Sequence, residues 1–138
     1  MENTPAKATS TPLKIGDRVR MEITQGLPIR DLQNVEPLKN AFKFIFVLIG
    51  LRPDQLPNEE SKQVLIDFCR RRFGNYKHNE LVLAFEMAIS GDFKADTDHF
   101  GQFTAKYLSG VITAYSAYRN RIAREVEEER CKQRKIET

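Results

Sequence analysis

"HFGQFTAKYLSGVITAYSAYRNRIAR", residues 99–124, decides how the whole chain is read. Its aromatics and terminal arginines fit two surfaces. One is a nucleic-acid face, with rings stacked on bases and guanidiniums on phosphates; the other is the core face of a long helix with its charges in water. At about 100° per residue, Phe100, Phe103, Tyr107, Val111, Ala114, Tyr115, Tyr118 and Ile122 fall on one stripe. Gln102, Ala105, Ser109 and Ser116 lie opposite. The aromatics therefore form an amphipathic core face on a helix capped by Thr97 or Asp98. Arg119 and Arg121 flank the stripe as snorkelling side chains do. Beyond Ile122 the stripe passes to Glu125 and Glu129, so the packed face is expected to stop near Ile122. "REVEEERCKQRKIET", residues 124–138, should project as a solvated helix held by ion pairs between turns.

Three shorter helices are expected upstream. From Glu36, with Pro37 in the first turn, "LKNAFKFIFVLI" has only Lys39, Asn40 and Lys43 polar before Gly50 stops it. Its second half is apolar on every side, the mark of a buried helix. Asn58 caps a second helix, about Glu59 to Phe73, with Val64, Leu65, Phe68 and Cys69 inward and Gly74 at its end. Asn79 caps a third, Glu80 to Ser90, closed by Gly91 and apolar enough to sit mid-bundle. Before these, "DRVRMEI" alternates Val19, Met21 and Ile23 with Arg18, Arg20 and Glu22, which is strand period. "TQGLP" offers a turn, and "IRDL" a returning strand. A lone hairpin is marginal in water, so this arm must dock on the body or on another chain.

The fold class that follows is all-α. It is a compact bundle of four main helices, with an N-terminal extended arm or short hairpin and a long charged C-terminal helix. Residues 1–12 should be a disordered tail, 13–34 the arm, 35–124 the bundle and 125–138 the charged helical tail. With 22 basic against 19 acidic residues the net charge is +3, weaker than a dedicated duplex-DNA binder carries. Two distant cysteines, Cys69 and Cys131, suggest no disulfide framework. The longest apolar run, near Phe44–Leu51, is too short for a bilayer, and the N-terminus lacks a signal core. The chain is expected in the cytoplasm (the host cytoplasm if phage-encoded), with no membrane partner.

The best electrostatic site is "CRRRFGNYK", where Arg70, Arg71, Arg72 and Lys77 suit nucleic acid or an acidic partner. The bland reading is that basic residues in a last turn complement the helix dipole. A helix-turn-helix is rejected, because the helix after the turn carries Glu80 and Glu86 and no side chains that read base edges. Arg18, Val19, Arg20, Met21 and Ile23 form a partner arm, and Arg119, Arg121, Arg124 and Arg130 a partner tail. His78, His99, Cys69 and Cys131 lack metal-ligand spacing. Asp92, Asp96 and Asp98 near His99 lack a calcium-loop pattern. No metal, cofactor or catalytic residue is expected, because no phosphate-binding glycine loop or nucleophile elbow is present.

"FVLIGL", "FCRRRFGNYKHNELVLAFEMAISGDF" and "HFGQFTAKYLSGVITAYSAYR" together resemble small replication-associated proteins of phages and mobile elements. The matching positions are Glu80, Ala84, Phe85 and Ala88, then Phe100, Phe103, Tyr107, Val111 and Tyr115, within Leu38 to Ile122. The layout is similar to that of phage helicase loaders and replisome organisers. That resemblance implies a helical module that engages the replicative helicase or single-stranded DNA through its ends. Lack of an ATP-binding loop sets it apart from ATPase loaders. The expected function is a non-enzymatic adaptor in phage-type DNA replication, recruiting or loading a replicative helicase or another replication protein. Two alternatives stand beside it: an assembly protein that homo-oligomerises through arm and terminal helix, and a sequence-neutral single-stranded DNA binder.

Overall fold

Helical periodicity organises the chain from its first described turn to its last. The computed structural model describes residues 14–137 and contains five α-helices: α1 (Ile15–Thr24), α2 (Glu36–Leu48), α3 (Glu59–Arg72), α4 (His78–Ser90) and α5 (Ala105–Glu137). Single 3-10 turns at Ile29–Asp31 and Pro53–Gln55 join them, and no strand occurs among the described residues. The tail expected at residues 1–12 lies outside the described residues.

The expected third helix, α4, is the axis of the bundle. Leu81, Leu83, Ala84, Phe85, Met87 and Ala88 are all buried, so most of the helix meets protein, and only the side carrying Asn79, Ile89 and Ser90 faces water. It packs against α2, α5 and α1. Gly91 ends it in the left-handed conformation (φ 81°), and the Asp92 N–H reaches back to the Met87 carbonyl at 2.9 Å. This is the hydrogen-bond pattern of a Schellman cap. α3 begins on Asn58, whose Oδ1 accepts from the Ser61 N–H at 2.7 Å. The core is closed by Phe103, whose ring lies 5.0–5.9 Å from those of Phe42, Phe46, Phe85 and Tyr107.

Several expectations need correction. The arm is helix, not strand or hairpin. "DRVRMEI" fits both periods, and burial decides between them: Val19 is fully buried, Ile15 and Ile23 pack on the core at four-residue spacing, and Met21 turns outward. "IRDL" forms no returning strand either. Instead the Ile29 N–H donates to the Tyr76 carbonyl at 2.8 Å and the Arg30 N–H to that of Gly74 at 3.1 Å. Gly74 is required there, since a Cβ would stand 2.6 Å from the Arg70 carbonyl oxygen.

α5 starts at Ala105, after the Thr104 hydroxyl accepts the Tyr107 N–H at 3.1 Å, and not at Thr97 or Asp98. Phe100 (φ 53°) and Gly101 (φ 76°) are both left-handed, which breaks any helix begun earlier. Phe100 therefore leaves the core stripe, while Leu108 and Ile112 join it, fully buried. The packed face also extends one turn beyond Ile122, to buried Val126. On α2, Phe44 and Val47 are exposed, so that helix is not buried all round.

On α3, Val64 is 59% exposed while Ile66, not assigned inward, is 2% exposed. Ile66→Ala should therefore destabilise the protein by about 2–5 kcal/mol and Val64→Ala by less than about 0.5 kcal/mol, measured by urea unfolding.

Candidate functional site

Glu80 stands in the first turn of α4 and is the one buried charged side chain among the described residues. An ionised carboxylate at 0% exposure requires full compensation. Arg119 of α5 supplies it as a fork, Nε to Oε2 at 2.6 Å and Nη2 to Oε1 at 3.3 Å. The Tyr115 hydroxyl donates to Oε2 at 2.5 Å, and the Lys77 backbone N–H to Oε1 at 3.0 Å. The carboxylate thus also caps its own helix.

Around this pair the side chains interlock. The Arg119 guanidinium lies 4.7 Å over the Tyr76 ring, and the Tyr76 hydroxyl bonds the Ser116 hydroxyl. Burial, then the Glu80 charge, pushes the Tyr115 phenol far above its ordinary range, so it remains a donor. For Arg119, burial pulls the pKa down, but the hydrogen bond and charge of Glu80 more than offset this and leave it raised.

Arg119, expected in the partner tail, is therefore committed to the core. Other expected contact residues are also engaged by the chain itself. Lys77 Nζ donates to the carbonyls of Glu22 (3.2 Å) and Ile23 (2.8 Å) and so binds the end of α1. Arg18 pairs with Glu86 at 2.8 Å and Arg20 with Glu129, holding α1 on α4 and α5. Val19 is buried beneath them. The arm is thus docked on its own chain. Arg70 approaches the Leu32 carbonyl at 3.5 Å.

The remaining cations face water. Arg71 and Arg72, at the end of α3, are exposed and have no ion pair among the described residues. Arg121 stacks its guanidinium 4.7 Å over the Tyr118 ring, and Arg124 and Arg130 are exposed along α5. The expected basic cluster is consequently divided, with Arg71 and Arg72 outward, Arg70 and Lys77 facing the chain's own carbonyls. Of the two cysteines, Cys131 is exposed and Cys69 buried, its thiol pushed up to about 12 by desolvation.

Glu80 was not recognised as a core residue from sequence, because an acid in a first helical turn also suits the dipole at the surface. The available signal was its setting: the apolar Leu81, Leu83, Ala84 and Phe85 follow it closely. Among the described residues no helix is long and apolar enough to cross a membrane. No protein-family model, curated protein or solved structure matches this chain.

Removing one partner of a buried ion pair strands the other charge. Arg119→Ala should lower unfolding stability by about 3–5 kcal/mol, whereas Arg124→Ala should change it by less than about 0.5 kcal/mol. Equal effects in urea titrations would contradict the assignment.

Proposed function

We propose that the protein is a non-enzymatic adaptor of phage-type DNA replication that recruits or loads a replicative helicase through the end of α5. The observation that supports this reading is the helix itself. After buried Val126, every residue from Glu127 to Ile136 is exposed and helical. Ten residues of helix extend about 15 Å. A free peptide of that length would be largely unfolded in water. Here it is continuous with a helix anchored in the core, and the Arg20–Glu129 pair ties its first turn to α1. A ligand helix formed in advance loses less entropy when a partner binds.

Its chemistry suits a different partner better than a second copy of itself. Continuing the apolar seam from Ile122 and Val126 at heptad spacing places Glu129 and Gln133 before the next apolar residue, Ile136. Polar residues at two successive seam positions weaken a self-paired coil. The choice of a helicase as partner rests on the sequence resemblance to phage loaders and organisers.

Single-stranded DNA is a second reading, favoured by the outward placement of Arg71 and Arg72. Two phosphate contacts would give a slope of log affinity against log salt of about −1.4, a weak auxiliary contact.

The test is affinity capture from nuclease-treated host lysate, read by mass spectrometry. The full chain should retain the replicative helicase. A chain ending at Val126 should lose it while keeping its unfolding midpoint within a few degrees, at about 1 kcal/mol or less of change. A full chain that retains no helicase contradicts the reading.

A further inference from the structure

Between α4 and α5 the chain holds an aromatic ring in water. Phe100 is 86% exposed and is the one non-glycine residue with positive φ among the described residues. Both features are unfavourable for an aromatic side chain.

The turn is nevertheless fixed from two sides. His99 Nδ1 accepts the Gly101 N–H at 2.9 Å, which leaves Nε2 to donate to the Ile49 carbonyl, also at 2.9 Å. At Gly101 a Cβ would stand 2.8 Å from Gln55 Nε2. The turn is thus tied to the end of α2 and lies against the Gln55 side chain, with the Phe100 ring directed outward.

That ring forms one wall of a groove of about 430 Å³. Asp96 and Asp98 line it from the loop, and Lys106, Tyr107 and Gly110 from the start of α5. The two carboxylates approach the Tyr107 phenol closely enough that their charge adds to burial in raising its pKa. Lys106 makes no ion pair with either carboxylate among the described residues, although all three line the same groove. Gly110 has nothing within 4 Å of where a Cβ would sit, which leaves the α5 wall open.

We propose that this groove binds a second copy of the chain about a two-fold axis. Each Phe100 ring enters the other copy's groove, and each Lys106 faces the other copy's Asp96 and Asp98. The patch is complementary to itself: an exposed ring, a groove to receive one, and charges of both signs in one lining. A two-fold contact needs that property, since the same surface must serve both sides. Phenylalanine is also among the residue types enriched at protein interfaces.

This surface is separate from the adaptor reading. Gly110 and Glu127 lie 17 residues apart on α5, about 25 Å along its axis, so a dimer would leave both helix ends accessible. Failure of either proposal leaves the other standing.

Sedimentation equilibrium of the full chain tests it. The wild type should show a concentration-dependent monomer–dimer equilibrium. Phe100→Asn suits the left-handed backbone, so it should keep or raise the unfolding midpoint while weakening dimerisation at least about tenfold. Lys106→Glu should weaken it several-fold, and Lys106→Glu combined with Asp96→Lys and Asp98→Lys should restore it by exchanging the signs of each pair. A wild-type chain that stays monomeric to about 1 mM overturns the proposal. So does a Phe100→Asn variant that dimerises as tightly as wild type, or a charge-exchanged variant no tighter than Lys106→Glu alone.

Discussion

The bundle depends on one buried charge. Glu80 has no exposure, and its carboxylate oxygens are bonded by Arg119, Tyr115 and the Lys77 backbone. An apolar pair at these positions would hold the helices together as well or better, because desolvating two ions offsets much of their attraction. What the ion pair adds is registry. A fork of two N–H groups on a fixed carboxylate accepts one rotation and one height of α5 on α4, whereas sliding apolar side chains tolerate several. A shift of one helical turn would leave a carboxylate alone in the core, an arrangement the bundle excludes by energy.

From that registry the outer parts take their places. α1 lies in the angle between α4 and α5, tied to each by one ion pair, Arg18–Glu86 and Arg20–Glu129. Both pairs are partly exposed, so each contributes only about 0–1 kcal/mol. Val19 beneath them and the Lys77 ammonium on the last α1 carbonyls bind α1 more firmly. Lys77 therefore links two levels of the structure. Its N–H bonds the core carboxylate and its side chain closes a surface helix. The same α5 then carries two separated surfaces, the Phe100 groove at its start and the charged extension at its end.

Much of this was legible in the sequence, for particular reasons. α4 could be read as central because most of its residues are apolar, and α2 and α3 could be bounded by Pro37, Asn58, Gly50 and Gly74. Where local pattern failed, a distant contact had decided. "DRVRMEI" alternates as a strand would, but Val19 and Ile23 share a helical face, and only packing on the bundle selects between the two. Glu80 finds Arg119 at a separation of 39 residues, beyond any local periodicity. Phe100 matches the α5 stripe in spacing and leaves it because Gly101 follows and His99 clamps the turn. The charged site was legible in composition and not in direction. Arg70, Arg71, Arg72 and Lys77 lie within eight residues of sequence, yet the helix end and the following turn send them to different sides.

Native-state hydrogen exchange along α5 tests most directly whether the Glu80–Arg119 lock makes α5 one unit with the core. The account predicts that amides from Ile112 to Val126 open together with α4, near the global unfolding free energy, and that those from Glu127 onward exchange much faster. If the Arg119 turn instead exchanges as rapidly as the exposed extension while α4 stays protected, α5 is not held by the buried charge and the account is wrong.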